Sequence, residues 1–279
     1  MTLRHRDLGR VSQQHLEQWG LRTDGPAREG SGSLVVPVVT AEGTAAVLKV
    51  NAADAGSEHE HLVLRRWGGH GAVRLLRADP PDHTVLVERG YPQTLADLPD
   101  SDACDIVGRL YRRLHVPAMP QLRSVTAYAM QWSSDVEQLP RSAPIPHRLV
   151  EQVAALSREL TSDVSTDVVL HGDLHYGTVL AADREPWLAI SPRPMNGDPH
   201  YELAPMLWHR WDELAGNIRD GVRHRFSTLV DAAGLDEDRA RAWTLIRVVH
   251  AWTRELADER EPESAALTRY AAIAKAVQD

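Results

Sequence analysis

One polar loop in the sequence holds residues that can move protons or bind metal ions. The segment HGDLHYGT, residues 171–178, lies between the apolar runs VVL and VLA, so it links two predicted strands. Asp173 is the natural general base, because a carboxylate on an anchored loop is held rigidly while it faces solvent or a cleft. On a strand, His171, Asp173 and His175 would share one face as a small metal site. The flanking Gly-Asp and Tyr-Gly pairs favour a loop instead.

A second chemical signal is a lysine in a chain that almost always uses arginine. Of 31 basic residues only Lys49 and Lys275 are lysine, and Lys49 lies inside the predicted strand AAVLKV. This placement favours a phosphate-binding role over that of an ordinary lysine on an edge strand. The helix SEHEHLVLRRW follows and offers Glu60, or its near rival Glu58, as an acidic partner; the alternative for both is a solvated helix face. The glycines of REGSGS fit a phosphate-covering loop or a simple turn.

Aromatic residues supply a third signal. The chain has eight tryptophans and one phenylalanine. Trp243 and Trp252 are nine residues apart on a periodic segment, which predicts that they lie in the core. Trp208 and Trp211 follow YELAPML, where flat rings either stack on a ligand or pack in the core.

The elements that must position these residues change in kind along the chain. The first ninety or so residues predict β, β, α, β, β, from SLVVPVV, AAVLKV, the acidic helix, AVRLLRA and TVLVERG. Helical periodicity then dominates, in SDACDIVGRLYRRLH, in PHRLVEQVAALSREL and in four amphipathic segments near the C-terminus. The loop described above lies in the one β-like island of this second part. The pattern predicts an α+β protein.

Composition excludes several classes of partner. A net charge of −8 argues against sequence-independent nucleic-acid binding, which needs basic surface. No segment approaches the 18 consecutive apolar residues typical of a membrane span, so we expect a cytoplasmic protein without a membrane partner. Cys104 is the only cysteine, which excludes an intrachain disulfide and a multi-thiolate zinc site. The sequence gives no indication of the oligomeric state.

The loop and the residues after it resemble a known family. HGDLHYGTVL, followed by PWLAISPRPMNGDPHYELAPMLWHRWDE, is similar to the catalytic segment of the aminoglycoside and hydroxyurea antibiotic-resistance kinases, particularly the streptomycin 6-phosphotransferase branch. AVLKV, the EHE helix, GAVRLL and LVERG extend the resemblance over nearly the whole chain. It implies a two-lobed, protein-kinase-like fold with a β-rich nucleotide lobe at 1–90 and a mainly helical lobe at 91–279.

The resemblance also implies roles for individual residues. Lys49 corresponds to the lysine that pairs with nucleotide phosphates, and Glu60 to the acid that orients it. The segment from Glu88 to Tyr91 corresponds to the hinge whose backbone meets adenine, and Asp173 to the base that steers the acceptor hydroxyl. We expect the acceptor, an antibiotic or similar natural product, to contact a further group: Asp173, His175, Asp198, Glu202, Trp208 and Trp211.

Three positions depart from the family pattern. Thr178 stands where an asparagine is expected, Ser191 where a metal-binding aspartate is expected, and Glu202 where a further aspartate is expected. A serine hydroxyl is neutral and short, whereas a carboxylate gives a hard cation a full charge and two oxygens. The metal site is therefore not expected to be intact, unless Asp198 replaces the missing ligand.

These departures lead to our functional hypothesis. The chain is expected to bind an antibiotic and give resistance, or self-resistance, by sequestration, with little or no phosphoryl transfer and no required cofactor. The alternative is an active O-phosphotransferase that uses ATP and magnesium, with Asp173 as base. A third hypothesis is a pseudokinase that acts as a partner protein.

Overall fold

The computed structural model describes residues 5–30, 32–53, 56–139, 143–161, 167–257 and 264–278. Helices and strands follow one another along these residues in an order that changes from strand-rich to helix-rich. In chain order they are α1 (His5–Gln18), β1 (Arg22–Thr23), β2 (Arg28–Gly30), β3 (Ser33–Val39), β4 (Ala45–Asn51), α2 (Glu60–Trp67), β5 (Leu75–Asp79), β6 (Thr84–Glu88), α3 (Asp100–Leu114), α4 (Val125–Glu137), α5 (His147–Leu160), β7 (Val168–Leu170), β8 (Val179–Ala181), β9 (Trp187–Ala189), β10 (Met195–Gly197), α6 (Ala204–Trp208), α7 (Ile218–Ala233), α8 (Glu237–Ala257) and α9 (Ser264–Gln278).

The chain forms two compact units that interleave in sequence. Unit 1 consists of residues 1–94 and 178–194, and unit 2 of residues 95–177 and 195–279. Unit 1 holds most of the strands and unit 2 most of the helices, which agrees with the predicted α+β organisation. The lobe boundary at residue 90 stays a prediction, since residues 178–194 return to the first unit.

Unit 1 is built on an antiparallel sheet of order β1-β3-β4-β6-β5, with β2 also paired to β3. The predicted hairpin is confirmed: β3 and β4 pair from Ser33↔Asn51 to Val39↔Ala45. Alternate apolar side chains of these strands form a buried cluster with Leu86. Helix α1 packs Leu8 and Val11 against Val50. The sequence analysis did not predict this helix, because most of its residues are polar and its apolar face is narrow.

A separate two-stranded hairpin, β8 with β9, completes unit 1. The register runs from Val179↔Ala189 to Ala181↔Trp187. Backbone bonds tie this hairpin to the first ninety-four residues: Val73 N–H donates to the Ala189 carbonyl, and Tyr91 N–H donates to the Ala181 carbonyl. The hairpin is therefore a structural part of unit 1, although the sequence places it after α5.

Unit 2 packs its helices around a tight α3–α7 contact. Gly108 of α3 makes this approach possible, because a Cβ added there would lie 2.5 Å from the Ala232 Cβ. The strand pair β7–β10, from Met195↔Leu170 to Gly197↔Val168, leads into the polar loop. Trp243 and Trp252 of α8 are buried, as predicted.

Two helical predictions in unit 2 need correction. Helix α4 was not predicted. LAPMLWHRWDELAG, residues 203–216, is one of the four amphipathic segments predicted near the C-terminus. It is not one continuous helix, because α6 ends at Trp208 and Arg210 adopts a left-handed backbone with φ of 51°. Among the described residues, no helix is both long and apolar enough to cross a membrane.

Candidate active site

The strongest feature of unit 1 is a buried ion pair between β4 and α2. The Lys49 Nζ lies 2.9 Å from each carboxylate oxygen of Glu60, and the Asn51 side-chain amide donates to the same carboxylate at 2.9 Å. Lys49 is 9% exposed and Glu60 is 2% exposed. Ion pairs this deeply buried are costly unless their geometry is good, so the lysine head is held in one place.

The position at which helix α2 begins decides whether Glu58 or Glu60 pairs with Lys49. Residues 56–59 form a turn and α2 begins at Glu60, which points its carboxylate at the sheet. Glu58 is exposed, and its carboxylate lies 3.8 Å from the His59 ring. Glu60 is therefore the partner of Lys49 in this structure.

The side chains and N–H groups at the two ends of the segment from Glu88 to Tyr91 form hydrogen bonds within unit 1. The Glu88 carboxylate pairs with Arg184 at 2.8 Å, and the exposed Tyr91 hydroxyl donates to Asp183 at 2.6 Å. The arginine's hydrogen bonds and charge lower the pKa of Glu88 although burial opposes this. The N–H groups of Glu88 and Tyr91 already donate to carbonyls of this unit. An adenine contact by this segment stays a prediction, and it would have to use backbone groups other than these two N–H groups.

The two expected metal positions lie side by side at one end of the β8–β9 hairpin. Thr178 directly precedes β8, Ser191 follows β9, and the Ile190 N–H donates to the Thr178 carbonyl at 2.9 Å. Ser191 adopts a left-handed backbone with φ of 56°, a conformation that asparagine and aspartate tolerate better than serine. Their side chains are neutral hydroxyls, so they do not fit the charged oxygen set that magnesium prefers.

In unit 2, Asp173 lies on a loop whose backbone forms hydrogen bonds with buried side chains. The Asp173 N–H donates to the His171 Nδ1 at 3.3 Å. Glu202 accepts the Gly172 N–H at 3.2 Å, and the Arg247 guanidinium donates to the Gly172 carbonyl. Both peptide groups of Gly172 are thus fixed, and the backbone that carries Asp173 is held in place; its role as the base stays a prediction.

Glu202 is buried in an unusual state. It is fully buried, and its Oε2 has no hydrogen-bond partner among the described residues. Burial raises the pKa of Glu202 to about 7, against the favourable charge of Arg247. The predicted direct ligand contact is not supported by this position, because the carboxylate lies beneath the loop.

Asp198 is also buried, and its carboxylate is held by hydrogen bonds within unit 2. One oxygen accepts from the His200 N–H at 3.0 Å and from the His200 ring, and the other accepts from Arg239. Although burial opposes ionisation, the His200 hydrogen bonds and the Arg239 charge hold the pKa of Asp198 at about 2. Both oxygens already accept hydrogen bonds, so the rescue role considered from the sequence would have to compete with these contacts.

His175 stacks on a histidine that sequence reasoning missed. The His175 and His209 ring centroids are 3.8 Å apart with an interplanar angle of 4°. Burial lowers the pKa of both rings, to about 4 for His209, so the pair is neutral at pH 7. Ligand atoms of Asp173, His175 and His209 all lie within 4.8 Å of one another. No spacing signal links His209 to the loop, because the contact depends on the break after α6.

His209 also lines a cavity beside the loop. The cavity measures about 780 Å³ and its wall includes Trp208, Trp211, Asp212 and Arg269. Both predicted tryptophans are partly exposed here, and Trp208 also contacts the Tyr270 ring edge-on. The volume is within the range of small-molecule sites.

Comparison with known proteins identifies what this chain is similar to. A model of the aminoglycoside/hydroxyurea antibiotic resistance kinase family matches residues 18–258. The streptomycin 6-kinase of Streptomyces glaucescens is 40% identical over 252 residues, which are 87% of this chain and 81% of that protein. The hydroxyurea phosphotransferase of Kitasatospora aureofaciens is 43% identical over 258 residues, 90% of this chain and 73% of that protein.

A solved structure supports the fold. The crystal structure of a spectinomycin phosphotransferase, in complex with ADP and spectinomycin, matches with a TM-score of 0.57 and 14% identity over 97% of this chain and 96% of that one. The predicted two-lobed, protein-kinase-like fold of the aminoglycoside phosphotransferases is confirmed.

The functional hypothesis of sequestration with little or no phosphoryl transfer is wrong. The relatives that match most of the chain are a kinase and a phosphotransferase. The prediction gave too much weight to the charge lost at Ser191. Phosphoryl transfer also depends on positioning and on other charges, and the buried Lys49 pair and the anchored Asp173 loop are retained.

Proposed function

Because the chain belongs to the aminoglycoside/hydroxyurea antibiotic resistance kinase family, we propose that it is an ATP-dependent phosphotransferase acting on a hydroxyl group of an antibiotic or similar small molecule. The observation that carries the proposal is the buried pair of Lys49 and Glu60. A lysine fixed by an acid is the arrangement that kinases use to hold nucleotide phosphates.

Unit 1 would supply the nucleotide-binding groups. An ammonium group has three donors, and Glu60 accepts from Lys49 at two oxygens, so a donor remains for a phosphate oxygen. The Asn51 amide restrains the glutamate from the other side. The Lys49 ammonium group is therefore already in place and does not need to reorganise when ATP arrives.

Unit 2 would supply the base and the acceptor site. The Asp173 carboxylate takes the proton of the acceptor hydroxyl while that oxygen bonds to the γ-phosphorus. The bond from the γ-phosphorus to the bridging oxygen breaks, and ADP leaves. The cavity lined by Trp208, His209 and Trp211 would hold the acceptor, since His209 adjoins both the cavity and the Asp173 carboxylate.

We propose ATP as the phosphoryl donor, and magnesium as the ion that accompanies it. Magnesium would neutralise phosphate charge when bound. Thr178 and Ser191 do not offer the charged oxygens that this ion prefers, so no step is assigned to it.

The acceptor class follows from the named relatives. Streptomycin 6-kinase and hydroxyurea phosphotransferase are named for acceptors that differ greatly in size. A cavity of about 780 Å³ would admit either. We therefore propose a hydroxyl-bearing antibiotic as acceptor, and a panel that spans both sizes is the appropriate test.

The test is transfer of radiolabel from γ-labelled ATP to each compound of that panel, with magnesium or manganese present. Label is expected on at least one compound, and Lys49→Met should reduce the transfer by at least about a hundredfold. Lys275→Ala is the matched control, because it removes the other, exposed lysine. Absence of transfer to every acceptor, from protein that binds ATP, would overturn the proposal.

ATP binding can be tested separately from transfer. An ATP analogue with a lysine-reactive acyl phosphate should label Lys49 and spare Lys275, and excess ATP should prevent the reaction. Labelling of neither lysine, or of Lys275 alone, would contradict the assigned nucleotide site.

A further inference from the structure

A second cluster of metal-binding side chains lies in unit 1, outside the residues assigned above. His15 of α1 faces Asp79 at the end of β5 and Asp82 in the turn that follows. The His15 Nε2 lies 3.3 Å from the Asp79 Oδ2 and 3.8 Å from the Asp82 Oδ2. One ligand atom from each of the three residues lies within 4.8 Å of the other two.

The His15 ring is oriented for coordination. Its Nδ1 lies 2.9 Å from the Val11 carbonyl, which can only accept, so Nδ1 carries the proton and donates. The Nε2 faces the two carboxylates and lies within hydrogen-bonding distance of the Asp79 Oδ2, and it becomes a ligand when a metal ion displaces the proton between them. A metal-ligating histidine almost always donates its other ring N–H in this way. The ring is fully buried and its position is further restrained by an edge-on contact with Trp19 at 4.8 Å.

The two carboxylates come from a rigid turn. Pro80 and Pro81 separate Asp79 from Asp82, and proline fixes the backbone φ angle. The His83 N–H donates to the Pro80 carbonyl at 3.1 Å and closes the turn. The turn thus holds both acids on the side that faces α1. Their side chains remain 29% and 39% exposed, so an ion has an entry path and water can complete its coordination.

The spacing fits a first-row metal ion. Metal–ligand bonds near 2.1 Å at a tetrahedral angle put two ligand atoms about 3.4 Å apart, between the two distances observed from the His15 Nε2. One imidazole with two carboxylates suits zinc and its neighbours better than magnesium or calcium, which prefer oxygen alone. We propose that His15, Asp79 and Asp82 form a binding site for a divalent transition-metal ion of the zinc class.

The other three-residue group, Asp173 with His175 and His209, does not have this geometry. Its imidazoles lie face to face at 4°. Lone pairs of stacked rings point along parallel planes and do not converge on one ion. The His175 Nδ1 also accepts the Gly177 N–H at 3.1 Å, which places the ring proton on the opposite nitrogen.

A metal at the first site would join α1 to the β5–β6 turn. Apolar contacts of Leu8, Val11 and Leu16 also hold helix α1 to the sheet. An ion bound only by the folded protein stabilises it by mass action. Bound zinc should therefore raise the thermal midpoint and slow proteolysis near the N-terminus.

The experiment uses the full chain without a histidine tag, titrated with Co²⁺ as a spectroscopic probe and with Zn²⁺ in competition. One equivalent of Co²⁺ should give a visible d–d absorption band, and Zn²⁺ should abolish it. Magnesium and calcium should leave it unchanged. Zinc should raise the thermal midpoint over the same concentration range.

Variants assign the site. Asp82→Asn, at a partly exposed position, and His15→Gln should each weaken Co²⁺ binding by at least about tenfold, and His209→Gln should not. Asp82→Asn keeps the proposal testable if the buried His15→Gln chain does not fold. The proposal is overturned if no band appears, if His209→Gln removes the band, or if Asp82→Asn leaves it intact. Loss of stability in Asp82→Asn without any metal binding would identify the cluster as an ion pair only.

Discussion

Replacing Glu202 by glutamine should remove one defined contribution to the pH dependence of stability. The carboxyl lies fully buried beneath the loop that carries Asp173, and burial raises its pKa from 4.5 to about 7. In the unfolded chain the same group ionises near 4.5. Between these two values this carboxyl binds more protons in the folded protein than in the unfolded chain, so its contribution to stability falls as the pH rises and is lost above pH 7.

The size of the effect follows from the two pKa values. A difference of about 2.5 pH units, at about 1.4 kcal/mol per unit, corresponds to about 3.5 kcal/mol. About 2.5 kcal/mol of this loss falls between pH 5 and pH 8. Glutamine has nearly the same shape, still accepts the Gly172 N–H, and cannot ionise. The variant should therefore lose about 2.5 kcal/mol less stability than the parent chain over that interval.

Urea unfolding at pH 5 and pH 8 measures this difference directly. Glu58→Gln is the matched control, because that glutamate is exposed, and it should follow the parent chain at both pH values. If Glu202→Gln also follows the parent chain, the carboxyl is already ionised in the folded protein. The reasoning about its burial would then be refuted.

Two further predictions concern the hairpin of unit 1 and the helix contact of unit 2. The double change Ser191→Asp with Thr178→Asn should tighten the binding of magnesium-ATP by at least about tenfold, since a carboxylate adds the missing charge; calorimetry showing unchanged affinity would indicate that the site has diverged elsewhere. Gly108→Ala should destabilise the protein by about 1–3 kcal/mol, because its Cβ meets Ala232 at 2.5 Å. Gly9→Ala, in a helix with open space around it, should instead stabilise by about 0.5–1 kcal/mol in the same urea assay.

Local patterns predicted much of unit 1. Alternating apolar residues specified the β3–β4 hairpin, and the lysine on it was recognised because the chain holds so few. The same pattern left Glu58 and Glu60 as rivals. The helix start decided between them, and that start depends on a turn whose geometry the residue types did not reveal.

Contacts between distant segments were not predictable from those patterns. Arg247 reaches Gly172 across 75 positions, and nothing in the periodicity of α8 distinguishes it from a surface arginine. His209 meets His175 only because the chain breaks after Trp208. Glu202 was recognised as an acid of the motif, yet its burial depends on the packing of unit 2 around it.

The return of residues 178–194 to unit 1 has a consequence for how the protein can be divided. A fragment that ends at residue 94 would contain the main sheet, yet the Val73 and Tyr91 N–H groups would lose their acceptors on the β8–β9 hairpin. A synthetic peptide spanning 178–194 should restore them by fragment complementation. Unit 1 is thus a discontinuous module, and neither half of the gene encodes it alone.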